Sequence, residues 1–265
     1  MSLLTHGSDL RLSPTLGPIC TATGLSPRQA LASVASEGFA AVQLDATWPG
    51  LRPRELDRSA RRDLQASAVR DGLMISGIDF FIPTDHFRDA AHVDRAAAAL
   101  QGACSLAADL GRVPVSLALP LNDAEPGLID LILATADGLG VTLAIHDEAD
   151  FEYARDWLAG HDRPVVGAGV DPASLLIRRL DPASSAQSLG DAWCVARLSD
   201  ASRGQADGGR CVVGRGDLDL SAYRISADLA TTRRGPVVLD LRGVASPIQA
   251  MREADAAWQN AAERF

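Results

Sequence analysis

The chain predicts an α/β fold: a single (β/α)8 barrel spanning residues 1–265. Three observations carry this. Strand-like and helix-like patterns alternate along the whole chain, which is how a parallel sheet covered by helices is written in sequence. The length, 265 residues, suits one closed barrel. The rival, an open doubly wound sheet, usually carries a glycine-rich first turn such as GxGxxG, and no such turn is present.

The elements follow in order. Arg11–Leu16 reads as the first strand. Ser26-Pro27 opens a helix to about Ser36, with serine as N-cap and proline in the first turn. Gly38 stops it, and Ala40–Leu44 is the second strand. Ser59–Asp71 is a charged surface helix ended by Gly72, and Leu73–Phe80 is the third strand. Ala91–Leu110 is the clearest helix. Its Val93, Ala96, Ala97, Leu100, Ala103, Cys104, Ala107 and Leu110 keep the three-four spacing of one buried face. Val113–Ala118 is the fourth strand, and Ala124–Leu139 a helix ended by Gly140. Val141–Asp147 is the fifth strand, Phe151–Leu158 a short helix, and Val165–Val170 the sixth strand. A broken helical stretch covers Pro172–Gln187, and Ala192–Leu198 is the seventh strand. A glycine-rich loop, Gly204–Gly216, leads to a helix over Leu218–Ala230. Val237–Leu241 is the eighth strand, expected beside the first. Ser246–Phe265 closes the chain as a helix with Ile248, Met251, Trp258, Ala261 and Phe265 inward.

Composition excludes several function classes. Hydrophobic residues make up 47% of the chain, enough for one large core. All 25 basic residues are arginine, so a lysine Schiff base and a P-loop lysine are both excluded. The net charge of −9 lacks the basic footprint of a nucleic-acid partner. Cys20, Cys104, Cys194 and Cys211 form no CxxC pair, and Cys104 and Cys194 sit in apolar periodic runs as core residues. No apolar stretch reaches membrane-span length, and Met1–Leu12 lacks a signal pattern. A soluble, cytoplasmic protein with no membrane partner is the expectation; its oligomeric state stays open.

The chemistry gathers in the second half. Thr142–His146, Val165–Asp171, Trp193–Arg197 and Val237–Asp240 each deliver a polar residue at the end of a strand. Parallel strands of a barrel bring those ends to one mouth. His146, Asp171, Arg197 and Asp240 are therefore expected to line a shared pocket.

Several segments together resemble the xylose-isomerase-like barrel superfamily, which includes sugar-phosphate isomerases and epimerases, ketose 3-epimerases and inosose dehydratases. "EGFAAVQLD" (Glu37–Asp45) resembles its second strand, and "SLAADLG" (Ser105–Gly111) the end of its third helix. "GVTLAIHDE" (Gly140–Glu148) and "VGAGVDPAS" (Val166–Ser174) resemble the fifth and sixth strands. "ARLSDASR" (Ala196–Arg203), "VGRGDLDL" (Val213–Leu220) and "GPVVLD" (Gly235–Asp240) resemble the seventh strand, its following loop and the eighth strand. The resemblance implies the barrel fold and a divalent metal held by Glu, Asp, His and Glu from strands five to eight. The matching positions hold His146, Asp171, Arg197 and Asp240, of which Asp171 alone is the family residue. The accessory histidines are replaced by Ser174 and Glu148, whereas Asp200 and Arg203 match.

Two chemistries fit these residues. With a metal, His146, Asp171 and Asp240 would supply one nitrogen and two oxygen ligands to Mn, Zn, Co or Mg. Arg197 opposes this, because at ~4 Å and an effective dielectric of about 20 it repels a divalent ion by several kcal/mol. No cofactor is therefore the expectation, with a divalent metal as the alternative. Without one, Arg197 neutralises Asp171 or Asp240, or grips a substrate carboxylate or phosphate. His146 then serves as acid or base, Glu148 shares its face, and Asp240 is a second proton-transfer group. Arg203, Trp48 and His86 are candidate substrate contacts, and Arg203, Arg210 and Arg215 a candidate phosphate cradle. The expected function is an isomerase or epimerase acting on a small sugar, polyol or sugar phosphate. The alternative is a catalytically inactive barrel serving as a small-molecule binding or scaffold protein.

Overall fold

The computed structural model describes residues 10–161, 163–202, 209–230 and 235–262. Eight parallel strands form the barrel: β1 (Leu12–Pro14), β2 (Ala41–Asp45), β3 (Met74–Phe80), β4 (Val115–Ala118), β5 (Leu143–His146), β6 (Val166–Val170), β7 (Trp193–Leu198) and β10 (Val237–Leu239). Between β7 and β10 a small antiparallel ribbon pairs β8 (Asp200–Ala201) with β9 (Arg210–Cys211). The order around the barrel is β1-β10-β7-β6-β5-β4-β3-β2. As expected, the last strand lies beside the first, with Leu12 opposite Val237. Closure between β1 and β2 rests on a single parallel bridge from Thr15 to Gln43.

Ten helices cover this sheet among the described residues: α1 (Leu16–Thr23), α2 (Pro27–Ser36), α3 (Arg58–Arg70), α4 (Val93–Asp109), α5 (Pro126–Leu139), α6 (Phe151–Ala159), α7 (Pro172–Ile177), α8 (Pro182–Ser188), α9 (Leu220–Leu229) and α10 (Pro247–Ala262). Local sequence explains their ends. Asp57 caps α3 by accepting from the Ala60 amide, and Gly140 ends α5 in the left-handed region at φ 63°. The expected break between α7 and α8 is present. Asp181 restarts the chain by capping α8 through the Ser184 amide, with Pro182 following it.

One element departs from expectation. The first strand stops at Pro14, and Leu16 begins α1, where the sequence reading carried the strand to Leu16 and placed no helix before Ser26. Gly17-Pro18 reads as a breaker. In a first helical turn, however, the proline's missing N–H has no intrahelical partner to lose.

The main core lies between strands and helices. Ala96, Ala97, Leu100, Ala103, Cys104 and Ala107 of α4 are buried there, as the periodicity predicts. On α10, Met251, Trp258 and Ala261 are buried, and Trp258 Nε1 donates to the Leu10 carbonyl at 2.8 Å. Phe265 lies outside the described residues. A second, smaller cluster joins Ala144, Cys194, Val195 and Val238. The two-residue period of a strand puts Ala144, Val195 and Val238 on the same faces as His146, Arg197 and Asp240. That cluster is the apolar layer beneath the polar strand ends. Among the described residues, no helix is long and apolar enough to cross a membrane.

Candidate active site

Each of the four expected residues stands at a strand's C-terminal end. His146 ends β5, Asp171 follows β6 as the N-cap residue of α7, Arg197 is next to last in β7, and Asp240 follows β10. All four are buried, and Arg197 has no exposed surface. Asp79, next to last in β3, is buried with them.

Arginine side chains knit these carboxylates together. Arg197 grips Asp79 with both ends of its fork, Nη1 to Oδ1 at 2.7 Å and Nη2 to Oδ2 at 2.9 Å. Its Nε donates to Asp240 Oδ2 at 3.2 Å. Gln43 Nε2 also donates to Asp79, at 3.0 Å. Arg242, two residues past Asp240, donates from Nε to both Asp240 oxygens at 3.0 Å and from Nη2 to Asp171 Oδ2 at 3.2 Å. Arg210 reaches in from β9, with Nη1 3.2 Å from Asp240 Oδ2 and Nη2 on Asp171. Asp171 further accepts from Ser199 Oγ at 2.6 Å and Ser174 Oγ at 3.0 Å. Phe81 covers the cluster, its ring centre 4.0 Å from the Arg242 guanidinium carbon and 5.1 Å from that of Arg197.

The electrostatics follow from this geometry. Burial alone would push the Asp240 carboxyl up. Arg242, Arg197 and Arg210 outweigh burial and hold it well below the ordinary carboxylate range. Asp171 is also lowered: burial raises it and Arg210 and Arg242 more than compensate, against the opposing charge of Asp240. Burial opposes the charge on Arg197, yet Asp79 and Asp240 raise its pKa further above the usual value. These carboxylates stay ionised and fully engaged.

His146 is different. Its Nδ1 lies 3.1 Å from Glu148 Oε1, which also accepts the Asp171 amide at 2.9 Å. Glu148 thereby fixes the ring. Nε2 is buried and has no hydrogen-bond partner among the described residues. It lies against Gly169, where a Cβ would stand 2.0 Å from it, so glycine is what leaves room for the imidazole. Phe81 meets the ring edge-on at 5.4 Å.

The structure brings His146, Glu148, Asp171, Arg197 and Asp240 together at the mouth, with His146, Asp171, Arg197 and Asp240 buried. A cavity of about 560 Å3 sits at the opposite end of the barrel, beside Thr142 and Cys194. Trp48 is half-buried and packs on the hydrophobic core from the β2–α3 connection. His86 stacks on His92 at 4.9 Å in the β3–α4 loop. Arg203 lies outside the described residues. The other two members of the expected phosphate cradle diverge: Arg210 enters the mouth, and Arg215 pairs with Glu253 at 2.7 Å. The amides beside them are already occupied, since Asp200 accepts from Ala201 at 2.9 Å and from Gly214, Gly216 and Leu218 at 3.0 Å. The chain supplies its own anion to that nest.

Sequence reasoning missed Asp79, Arg242 and Phe81 as parts of the site. A signal existed for the first: Asp79 interrupts the apolar run Ile78–Phe81 of the third strand.

A divalent ion does not fit this donor set. Asp171 and Asp240 already accept from guanidiniums, and Arg197 stands at the third position. Among the described residues, no group of three or more His, Cys, Asp or Glu is arranged to hold a metal. At ~4 Å and an effective dielectric of about 20, each guanidinium repels a divalent ion by about 8 kcal/mol.

No protein-family model matches the chain, and no curated protein is significantly similar to it in sequence. Solved structures are similar in fold. A xylose isomerase domain protein from Planctomyces limnophilus is 14% identical, with a TM-score of 0.72 over 88% of this chain and 91% of that one. The IOLI protein with a bound zinc atom is 14% identical, with a TM-score of 0.73 over 96% and 99%. D-psicose 3-epimerase from Clostridium cellulolyticum H10, solved with D-tagatose, is 14% identical, with a TM-score of 0.68 over 96% and 97%. Likeness at such low identity is likeness of fold: the chain is a (β/α)8 barrel, as these structures are.

Proposed function

We propose that this barrel works without a divalent metal and acts as a small-molecule binding or scaffold protein, taking a sugar or polyol at its mouth. The observation that carries this is the bridging of Asp171 and Asp240 by Arg210 and Arg242. Carboxylates held this way are not available as ligands to an ion. Nor is Asp240 a good second base, because three guanidiniums favour its ionised, weakly basic form. An epimerase with one proton-transfer group on each face of a carbon therefore loses one of its two groups. The accessible part of the mouth is the rim, where the Arg210 and Arg242 side chains are 18% and 33% exposed. Guanidinium donors beside the Phe81 ring suit hydroxyl and carbonyl oxygens. The similarity to a D-psicose 3-epimerase solved with D-tagatose and another solved in the presence of D-fructose supports a sugar-like ligand. Two measurements test this: elemental analysis of protein purified without added metal, and NMR of candidate ketoses and aldoses in deuterated water. The expected result is less than one divalent ion per chain and no exchange at carbon. Near-equimolar Mn, Zn or Co, or enzyme-dependent exchange, overturns it.

One observation favours a second reading, a metal-independent sugar isomerase. Glu148 orients His146 and leaves Nε2 without a partner. A single base can carry out a 1,2-shift: it takes the proton from the carbon beside the carbonyl to give an enediolate, the hydroxyl proton of that carbon passes to the former carbonyl oxygen, and the base returns its proton to the former carbonyl carbon. The guanidiniums would stabilise that oxyanion. Carbon-bound exchange that disappears in His146→Ala, with ligand binding retained, establishes this reading over the first.

A further inference from the structure

A cavity of about 420 Å3 opens on the flank of the barrel, between α4 and the β2–α3 connection. It lies outside the barrel wall. Phe80 lines it, whereas its neighbour Asp79 points inward to Arg197, as strand alternation requires. Two features set it apart. Its floor is apolar on a helix surface that normally carries charge: Ala98 and Ala99 are exposed there and present methyl groups. Its rim is cationic, with Arg52, Arg54 and Arg61.

The rim charges are not equal. Arg52 is tied to the Thr47 carbonyl at 2.9 Å and to Glu55 at 3.3 Å. Arg61 is tied to Asp109 at 2.6 Å and Ser105 at 3.2 Å. Arg54 is exposed and has no hydrogen bond or ion pair among the described residues. Three guanidiniums facing two carboxylates leave this patch positive on a chain of net charge −9. A concave apolar floor, a volume inside the roughly 300–1,000 Å3 range of small-molecule sites and a free cation at the edge together define a ligand chemistry.

We propose that this cavity binds a small amphipathic acid, with its apolar body on Phe80, Ala98 and Ala99 and its carboxylate or sulfonate at Arg54. The site is independent of the mouth and of the function proposed for it. The probe is 1-anilinonaphthalene-8-sulfonate, titrated into the intact protein and read by fluorescence, with decanoate and 1-decanol as competitors. Ala99→Trp fills the cavity from an exposed helix position, so the fold is expected to hold; circular dichroism and the unfolding midpoint check this. Should Ala99→Trp disturb the fold, Ala98→Leu takes its place. The expected result is saturable binding, lost in Ala99→Trp and weakened about tenfold in Arg54→Glu, with decanoate displacing the probe and 1-decanol failing to. Absence of binding, or wild-type binding by the filled variant, overturns the site. Equal competition by 1-decanol, or no effect of Arg54→Glu, overturns the acid specificity and leaves a merely apolar groove.

Discussion

Arg197→Met is the most informative perturbation of the mouth. Methionine keeps much of the buried stem and removes the charge. The guanidinium it deletes has no exposed surface and makes two hydrogen bonds to Asp79 and one to Asp240. Asp240 keeps Arg210 and Arg242. Asp79 keeps a single neutral donor, Gln43 Nε2 at 3.0 Å. The cost therefore falls mainly on Asp79, a buried carboxylate stripped of its cation, and is about 3–5 kcal/mol. For a chain of this length that lowers the unfolding midpoint by about 6–20 °C. Equilibrium urea unfolding at neutral pH measures it directly. The double variant Arg197→Met/Asp79→Asn removes the orphaned charge as well and should recover at least half the loss. A single-variant effect below about 1 kcal/mol, or a double variant no better than the sum of its parts, refutes the claim that charge pairing holds this mouth together.

Three other outcomes follow from the same network. Arg210→Ala/Arg242→Ala strips Asp171 of its guanidiniums and leaves Asp240 with Arg197 alone, so affinity for Mn2+ measured by calorimetry should rise at least about tenfold; an unchanged affinity contradicts guanidinium exclusion of the ion. Asp171 and Asp240 both have folded-state pKa values below the ordinary 3.8, so their contribution to stability is present above that value and is lost as pH falls through the lower folded values. Stability should thus decline below about pH 4, and Asp240→Asn should flatten the decline; an equally steep acid limb in that variant removes Asp240 as its source. Asp200→Ala unties the amides of Gly214, Gly216 and Leu218, which should then exchange with deuterium much faster than in the parent chain, with α4 amides as the unaffected reference.

The barrel was legible because its signals are periodic. The α4 face from Ala96 to Ala107 repeats at helical spacing, and each strand is bounded by glycine, proline or aspartate. The convergence of His146, Asp171, Arg197 and Asp240 was legible for the same reason, since a parallel barrel gathers strand ends whatever their sequence. Helix α1 was hidden behind Gly17-Pro18, where a local breaker yields to the packing of Leu16, Ile19 and Cys20. Arg210 and Arg242 were illegible in their role for a different cause. Both come from connections, and a long flexible side chain on a loop has no period that fixes where its head group lands.

That illegible pair decides the chemistry. Arg197 by itself leaves the mouth ambiguous, because its fork could equally serve a substrate anion. Arg210 and Arg242 complete a set in which each of the buried Asp79, Asp171 and Asp240 has at least one guanidinium partner, with Glu148 as a further carboxylate beside them. A divalent cation entering this set would have to displace guanidiniums from Asp171 and Asp240 and lie beside their positive charge. A neutral sugar or polyol adds no charge and needs only hydrogen-bond donors and acceptors. Donors remain at the rim, on the partly exposed Arg242 and Arg210. His146 Nε2, by contrast, is a buried polar atom with no hydrogen-bond partner among the described residues. Under the function proposed above, a ligand proton lost to Nε2 separates an isomerase from a binding barrel, and carbon-bound exchange in the parent chain and in His146→Ala reads it.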